Sequence, residues 1–171
     1  MSRDQQTVVA GAISATIFSL AFFEVIFRMT DFGLAPPGGI GIDYRLEYAL
    51  KCEVFAALCL LAGVGAIGNR RFFAPDAIGG DPTPAIEIER RYVQNTLEQL
   101  VLAIVGHLAL VLIVPDDSTR VVAILVMLFV IGRAAFWIGY HISPPARAFG
   151  FATTFYPTVA VYVYLVSRLA S

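Results

Sequence analysis

The sequence predicts an all-α integral membrane protein, and three observations carry that reading. Of its 171 residues, 58% are hydrophobic and only 15% charged, where a soluble domain carries about 25% charge. Mean hydropathy is +0.75. Five apolar stretches approach the ~20 residues that a spanning helix needs, and the segments between them are polar or rich in helix breakers.

The stretches run Thr7–Phe27, Tyr48–Ile67, Leu97–Val114, Val121–Tyr140 and Phe149–Leu169. The first follows Arg3 and stays apolar to Phe27 without a convincing small-residue cleavage site, so it reads as a retained helix rather than a signal peptide. Pro36-Pro37-Gly38-Gly39 and Gly41 part it from the second, and the Asn69–Ile86 connection carries Arg70-Arg71, Gly79-Gly80 and prolines. Pro115-Asp116-Asp117-Ser118 makes a tight hairpin, with Asp117 or Ser118 as the expected N-cap of the fourth helix. His141-Ile142-Ser143-Pro144-Pro145 breaks the fourth helix from the fifth.

Orientation follows from arginines in short loops. With the N-terminus cytoplasmic, Arg3, Arg70, Arg71, Arg90, Arg91 and Arg147 lie inside, against Arg28, Arg45, Arg120 and Arg168 outside. The bias points one way. A net charge of −1 offers no basic face for nucleic acid and no acidic tail. Cys52 and Cys59, the only cysteines, would sit roughly 10 Å apart on a helix, too far for a mutual disulfide. They read as packing residues, and no zinc-like pattern is present.

Two polar clusters interrupt the apolar pattern. Glu89 through Glu98 opens the third stretch, and Arg133 through Tyr140 to Arg147 closes the fourth. Charged side chains at bilayer depth normally face a protein interior or a watery cavity and mark function; near helix ends they can instead snorkel to the interface. Spacing discriminates. Arg91, Asn95 and Glu98 stand at i, i+4 and i+7, within about 60° of one another on a helix. Arg133 and Tyr140, also seven apart, share a stripe, and Arg147 follows across the Pro-Pro break at the same membrane surface.

Guanidinium, amide, carboxylate and phenol together suit an anionic ligand that also carries an amine: arginine grips carboxylates, glutamate takes an ammonium, and asparagine both donates and accepts. The alternative is an internal salt-bridge network that fixes helix packing. His107 shares its face with no second histidine or cysteine and reads as a packing residue. Glu47–Lys51 and Glu24–Arg28 are expected i, i+4 ion pairs. Tyr156, Tyr162, Tyr164 and Trp137 read as an interfacial or packing set.

Glu89-Arg90 with Asn95-x-x-Glu98 at the start of a membrane helix, then Arg133-x6-Tyr140-x6-Arg147 across the last loop, resembles the MAPEG superfamily (membrane-associated proteins in eicosanoid and glutathione metabolism). Arg70-Arg71-Phe72-Phe73-Ala74-Pro75-Asp76 resembles that family's basic-aromatic-Pro-acidic loop. The resemblance covers about Tyr48 to Leu169. It implies a four-helix MAPEG-like bundle over 45–171, with 1–44 supplying one additional N-terminal transmembrane helix and a Pro/Gly-rich loop.

The resemblance further implies a homotrimer holding glutathione between subunits near the cytoplasmic face. By motif position, Arg91, Asn95, Glu98, Arg133 and Tyr140 would bind glutathione. Arg147 falls where leukotriene-forming members keep the arginine that stabilises the glutathione thiolate, making it the expected catalytic residue. The thiolate would attack a lipophilic electrophile arriving from the bilayer.

Departures narrow the expectation. Phe136 and Phe151 stand where some eicosanoid-processing members carry tyrosines, and Gln94 stands where some relatives have a basic residue. A general glutathione transferase or peroxidase is expected rather than a faithful prostaglandin or leukotriene synthase. The alternative is a non-catalytic scaffold or accessory subunit docking other membrane proteins through the added helix. The resemblance suggests a bacterial-type member in a bacterial inner membrane.

Overall fold

A computed structural model of the chain describes residues 1–29, 41–74, 83–115 and 118–170. They form α1 (Arg3–Arg28), α2 (Ile42–Phe73), α3 (Pro84–Ile113), α4 (Val121–Ile142) and α5 (Ala148–Leu169), with a 3₁₀ turn at Pro144–Arg147 between the last two. All five long helices are apolar enough to cross a membrane. The protein is an all-α membrane bundle.

Two helices outrun their apolar stretches. The second begins at Ile42 and continues to Phe73, and the third begins at Pro84, well before Leu97. Hydropathy marks bilayer depth, whereas backbone hydrogen bonds continue into the polar turns on either side. Thr83 starts α3 by accepting from the Ile86 amide at 3.4 Å, with Pro84 at the first helical position. The Glu89–Glu98 cluster therefore lies within a helix, with its stripe geometry fixed. Ser2 and Gln5 cap α1 reciprocally, at 3.2 and 2.9 Å.

The expected cap of the fourth helix is corrected. Asp117 lies outside the described residues. Ser118 sits in the turn before the helix, its amide donating to the Pro115 carbonyl at 2.9 Å. The N-cap position is Arg120, which makes no side-chain cap bond. A tight turn brings the Thr119 carbonyl to the Val122 amide at 3.1 Å, so that backbone takes over the first-turn bonding.

α2 packs against α3, α4 against α5, and α1 against α5 and the 3₁₀ turn. Lipid supplies no hydrophobic drive between helices, so close van der Waals fit has to hold them. At the α4–α5 crossing, a Cβ on Gly132 would lie 2.6 Å from Thr154 Cγ2, and one on Gly150 would collide with the Phe136 backbone. Hydrogen alone at these two positions lets the helices approach closely. That approach sets Arg133, next to Gly132, beside Thr154.

The two ends of the bundle sort the arginines as the sequence grouped them. At one end Arg70 meets Glu89 and Arg147 lies over Tyr140. At the other, Arg45 Nη1 donates to the Val114 carbonyl at 2.7 Å, and the Arg120 guanidinium stands 4.4 Å from the Phe27 ring centroid.

Candidate functional site

Helical period puts Glu87, Arg91, Gln94, Asn95 and Glu98 along one side of α3, where with Arg90 and Tyr140 they line a polar cleft of about 400 Å3. A second hollow of about 450 Å3 is lined by Asn95, Phe136, Tyr140, Arg147 and Phe151, with Val8 and Ala12 of α1 closing it. Asn95 and Tyr140 belong to both, so the two spaces are halves of one site. The structure thus brings Arg91, Asn95, Glu98, Tyr140 and Arg147 together.

Arg133 is placed differently. It is 0% exposed and lines neither hollow. Its Nη1 donates to Asn95 Oδ1 at 2.8 Å, its Nη2 donates to Thr154 Oγ1 at 2.5 Å, and its guanidinium carbon stands 4.5 Å from the Phe136 ring centroid. Among the described residues no carboxylate pairs with it. A guanidinium buried this far is held by neutral acceptors and an aromatic face alone. With its oxygen committed to Arg133, the Asn95 amide turns its N–H donors toward the site.

The other groups are partly engaged. Arg91 Nε meets Glu87 Oε1 at 2.9 Å, and Gln94 Nε2 donates to Glu98 Oε1 at 2.8 Å, each across one helical turn on the exposed face. Arg147 is half-buried, with its guanidinium carbon 4.7 Å from the Tyr140 ring centroid, and Tyr140 meets Phe136 edge-on at 5.0 Å. The turn that carries Arg147 can fold back onto α4 because Gly139 faces it: a Cβ there would sit 2.7 Å from Arg147 Cα.

Beneath the site, Glu89 fastens three helices. It is 1% exposed, accepts from Arg70 Nε of α2 at 2.9 Å and from Trp137 Nε1 of α4 at 2.6 Å, and lies 3.5 Å from His141 Nε2. Trp137 stacks on Tyr92 at 4.6 Å, and the Tyr92 hydroxyl donates to the Cys59 carbonyl at 3.1 Å. Trp137 is a packing residue with a specific partner. Tyr162 likewise donates to the Leu102 carbonyl at 3.1 Å.

His107 packs as expected but not alone: its Nδ1 lies 2.6 Å from Glu53 Oε1, both side chains buried between α2 and α3. Glu47–Lys51 and Glu24–Arg28 are paired on the surface. Cys52 and Cys59 are free thiols. Among the described residues no metal-binding cluster occurs.

The sequence marked Glu89 only as the start of a polar cluster, without its partners, and missed Thr154 and Glu53. A threonine in an apolar helix carries no periodic signal. A lone acid inside an apolar run, such as Glu53, is a signal in itself, though its partner is not readable without the fold.

A model of the MAPEG family matches residues 49–167. Transmembrane protein 79 of Mus musculus is 28% identical over 165 residues, covering 95% of this chain and 41% of that protein. Transmembrane protein 79 of Bos taurus is 29% identical over 121 residues, covering 70% of this chain and 31% of that one. The chain spans less than half the length of these curated relatives, both of them mammalian. No solved structure matches.

Proposed function

The chain belongs to the MAPEG family, and from that premise we propose that it is a glutathione-dependent membrane transferase or peroxidase acting on lipophilic electrophiles. The observation that supports this reading most is the joined hollow, with Asn95 set by Arg133 on one side and Arg147 stacked on Tyr140 on the other.

The residues present fit glutathione, which combines two carboxylates, an ammonium group and a thiol. Arg90 and Arg91, which line the cleft, would take a carboxylate, Arg91 exchanging Glu87 for the ligand. Glu98 suits the ammonium group, and the Asn95 amide donates to a peptide carbonyl. Buried behind them, Arg133 adds positive potential without touching the ligand. Bound glutathione would supply a nucleophilic thiol, ordinarily with a pKa near 8.5. Arg147, half-buried between Tyr140 and the α1 face, would hold the negative charge left when that proton departs; lowering the pKa by two units needs about 2.7 kcal/mol.

Calorimetry on detergent-purified protein tests the reading directly. Wild type should bind glutathione, and Arg91→Ala should weaken binding roughly ten- to a hundredfold, the weight of a charge-assisted contact. No heat of binding at any glutathione concentration would leave a scaffold without ligand chemistry. The same reading makes the protein a homotrimer, with the open side of the hollow completed by a neighbouring copy. Native mass spectrometry in mild detergent should find three chains; a dominant monomer would remove the shared site.

A further inference from the structure

α1 lies outside the matched residues 49–167, and beyond the hollow beside Arg147 it walls a second cavity that shares only Tyr156 with that hollow. About 500 Å3 in volume, this cavity lies between α1 and the α3–α5 face, lined by Ser19, Phe23, Leu110, Leu125, Tyr156 and Ala160 among others. That volume is within the roughly 300–1,000 Å3 of small-molecule sites. α1 meets α5 closely around Gly11, where a Cβ would stand 3.1 Å from the Phe149 nitrogen. Farther along, Phe23 of α1 and Pro157, inside α5, line the cavity.

Three features define what fits. The cavity follows the helix direction: from Tyr156 to Tyr164 on α5 it extends roughly 12 Å along the membrane normal, as a lipid tail does. Its walls are apolar except for a few hydroxyls, of which Ser19 is 8% exposed with its Oγ lacking a hydrogen-bond partner. At its membrane-surface end stands Arg120, preceding the lining residue Val121 and stacked on Phe27, one turn beyond the lining residue Phe23. The Nε of Arg120 is buried and without a hydrogen-bond partner.

We propose that this cavity binds a single-chain anionic amphiphile, a long-chain carboxylate whose tail lies between α1 and α5 and whose head meets Arg120. A guanidinium matches a carboxylate through paired hydrogen bonds, and a head at the surface with a tail along the normal is the posture the bilayer already imposes. Its head end at Arg120 is at the opposite membrane surface from Arg147, its other end reaches Tyr156, and the proposal does not depend on the glutathione reading.

Native mass spectrometry of the full chain from neutral detergent, with oleate and oleyl alcohol as probes, tests it. Wild type should retain one oleate per chain and prefer it to oleyl alcohol by about tenfold, the weight of one charge-assisted contact. Ala160→Phe fills the cavity from an exposed lining position and should remove oleate retention. Arg120→Gln, a change at a side chain that makes no cap bond, should keep the chain folded and abolish the preference for oleate. Equal retention of oleate by Ala160→Phe and wild type overturns the proposal. So does equal uptake of the acid and the alcohol by wild type.

Discussion

Arg133 Nη1 on α4 donates to Asn95 Oδ1 on α3 at 2.8 Å, and this one hydrogen bond decides which end of the Asn95 amide faces the site. On the proposed glutathione reading Arg133 acts by positioning Asn95, since it lines neither hollow. Arg133→Met should weaken glutathione binding roughly ten- to a hundredfold, the range for hydrogen bonds to a charged group. Adding Asn95→Ala to Arg133→Met should cost little more, whereas two independent contributions would add. Arg133→Lys should not rescue, because one ammonium cannot bond Asn95 and Thr154 while stacking on Phe136.

Arg147 is expected to act on the thiol rather than on affinity. Arg147→Ala should keep most of the glutathione binding measured by calorimetry but raise the apparent thiol pKa and depress the rate at neutral pH. Because the lost function is stabilisation of an anion, turnover should recover as pH rises and the thiolate forms unaided. A pH–rate profile with ultraviolet thiolate absorbance reads both effects. Wild-type behaviour in both would reduce Arg147 to an anchor stacked on Tyr140.

Glu89 contributes stability by satisfying Trp137 and Arg70 in a buried setting. Glu89→Ala leaves the indole N–H without its acceptor and should destabilise the bundle by about 1–3 kcal/mol, seen as a lower Tm in detergent. Trp137 is the only tryptophan, so its emission reports the same change locally. Glu89→Gln keeps an acceptor for the indole and should lose less.

Sidedness is open to cysteine labelling in a chain with Cys52 and Cys59 replaced. Ser2→Cys and Ser143→Cys should react with an impermeant reagent from one side of the membrane, and Ser118→Cys from the other. The geometry requires this, since α4 runs from Arg120 at one end of the bundle to Ile142 at the other. Labelling of positions 118 and 143 from one side would break the hairpin assignment.

The number of spans was readable in the sequence because lipid admits only backbone that satisfies its own hydrogen bonds, so that each long apolar run must be a helix. The stripe of Arg91, Asn95 and Glu98 was readable for a related reason: once the segment is helical, a fixed turn angle puts i, i+4 and i+7 on one side. Local order thus followed from composition and period. Helix ends did not, since apolarity falls where the bilayer stops and α2 and α3 continue past it. Only the tertiary structure buried Arg133 against Asn95 and Thr154, paired Glu53 with His107, tied Glu89 to Trp137 and opened the cavity beneath α1. Each depends on which helices touch and at what depth. Close approach at glycines such as Gly132 and Gly150 sets that depth, and it leaves no periodic trace along the chain.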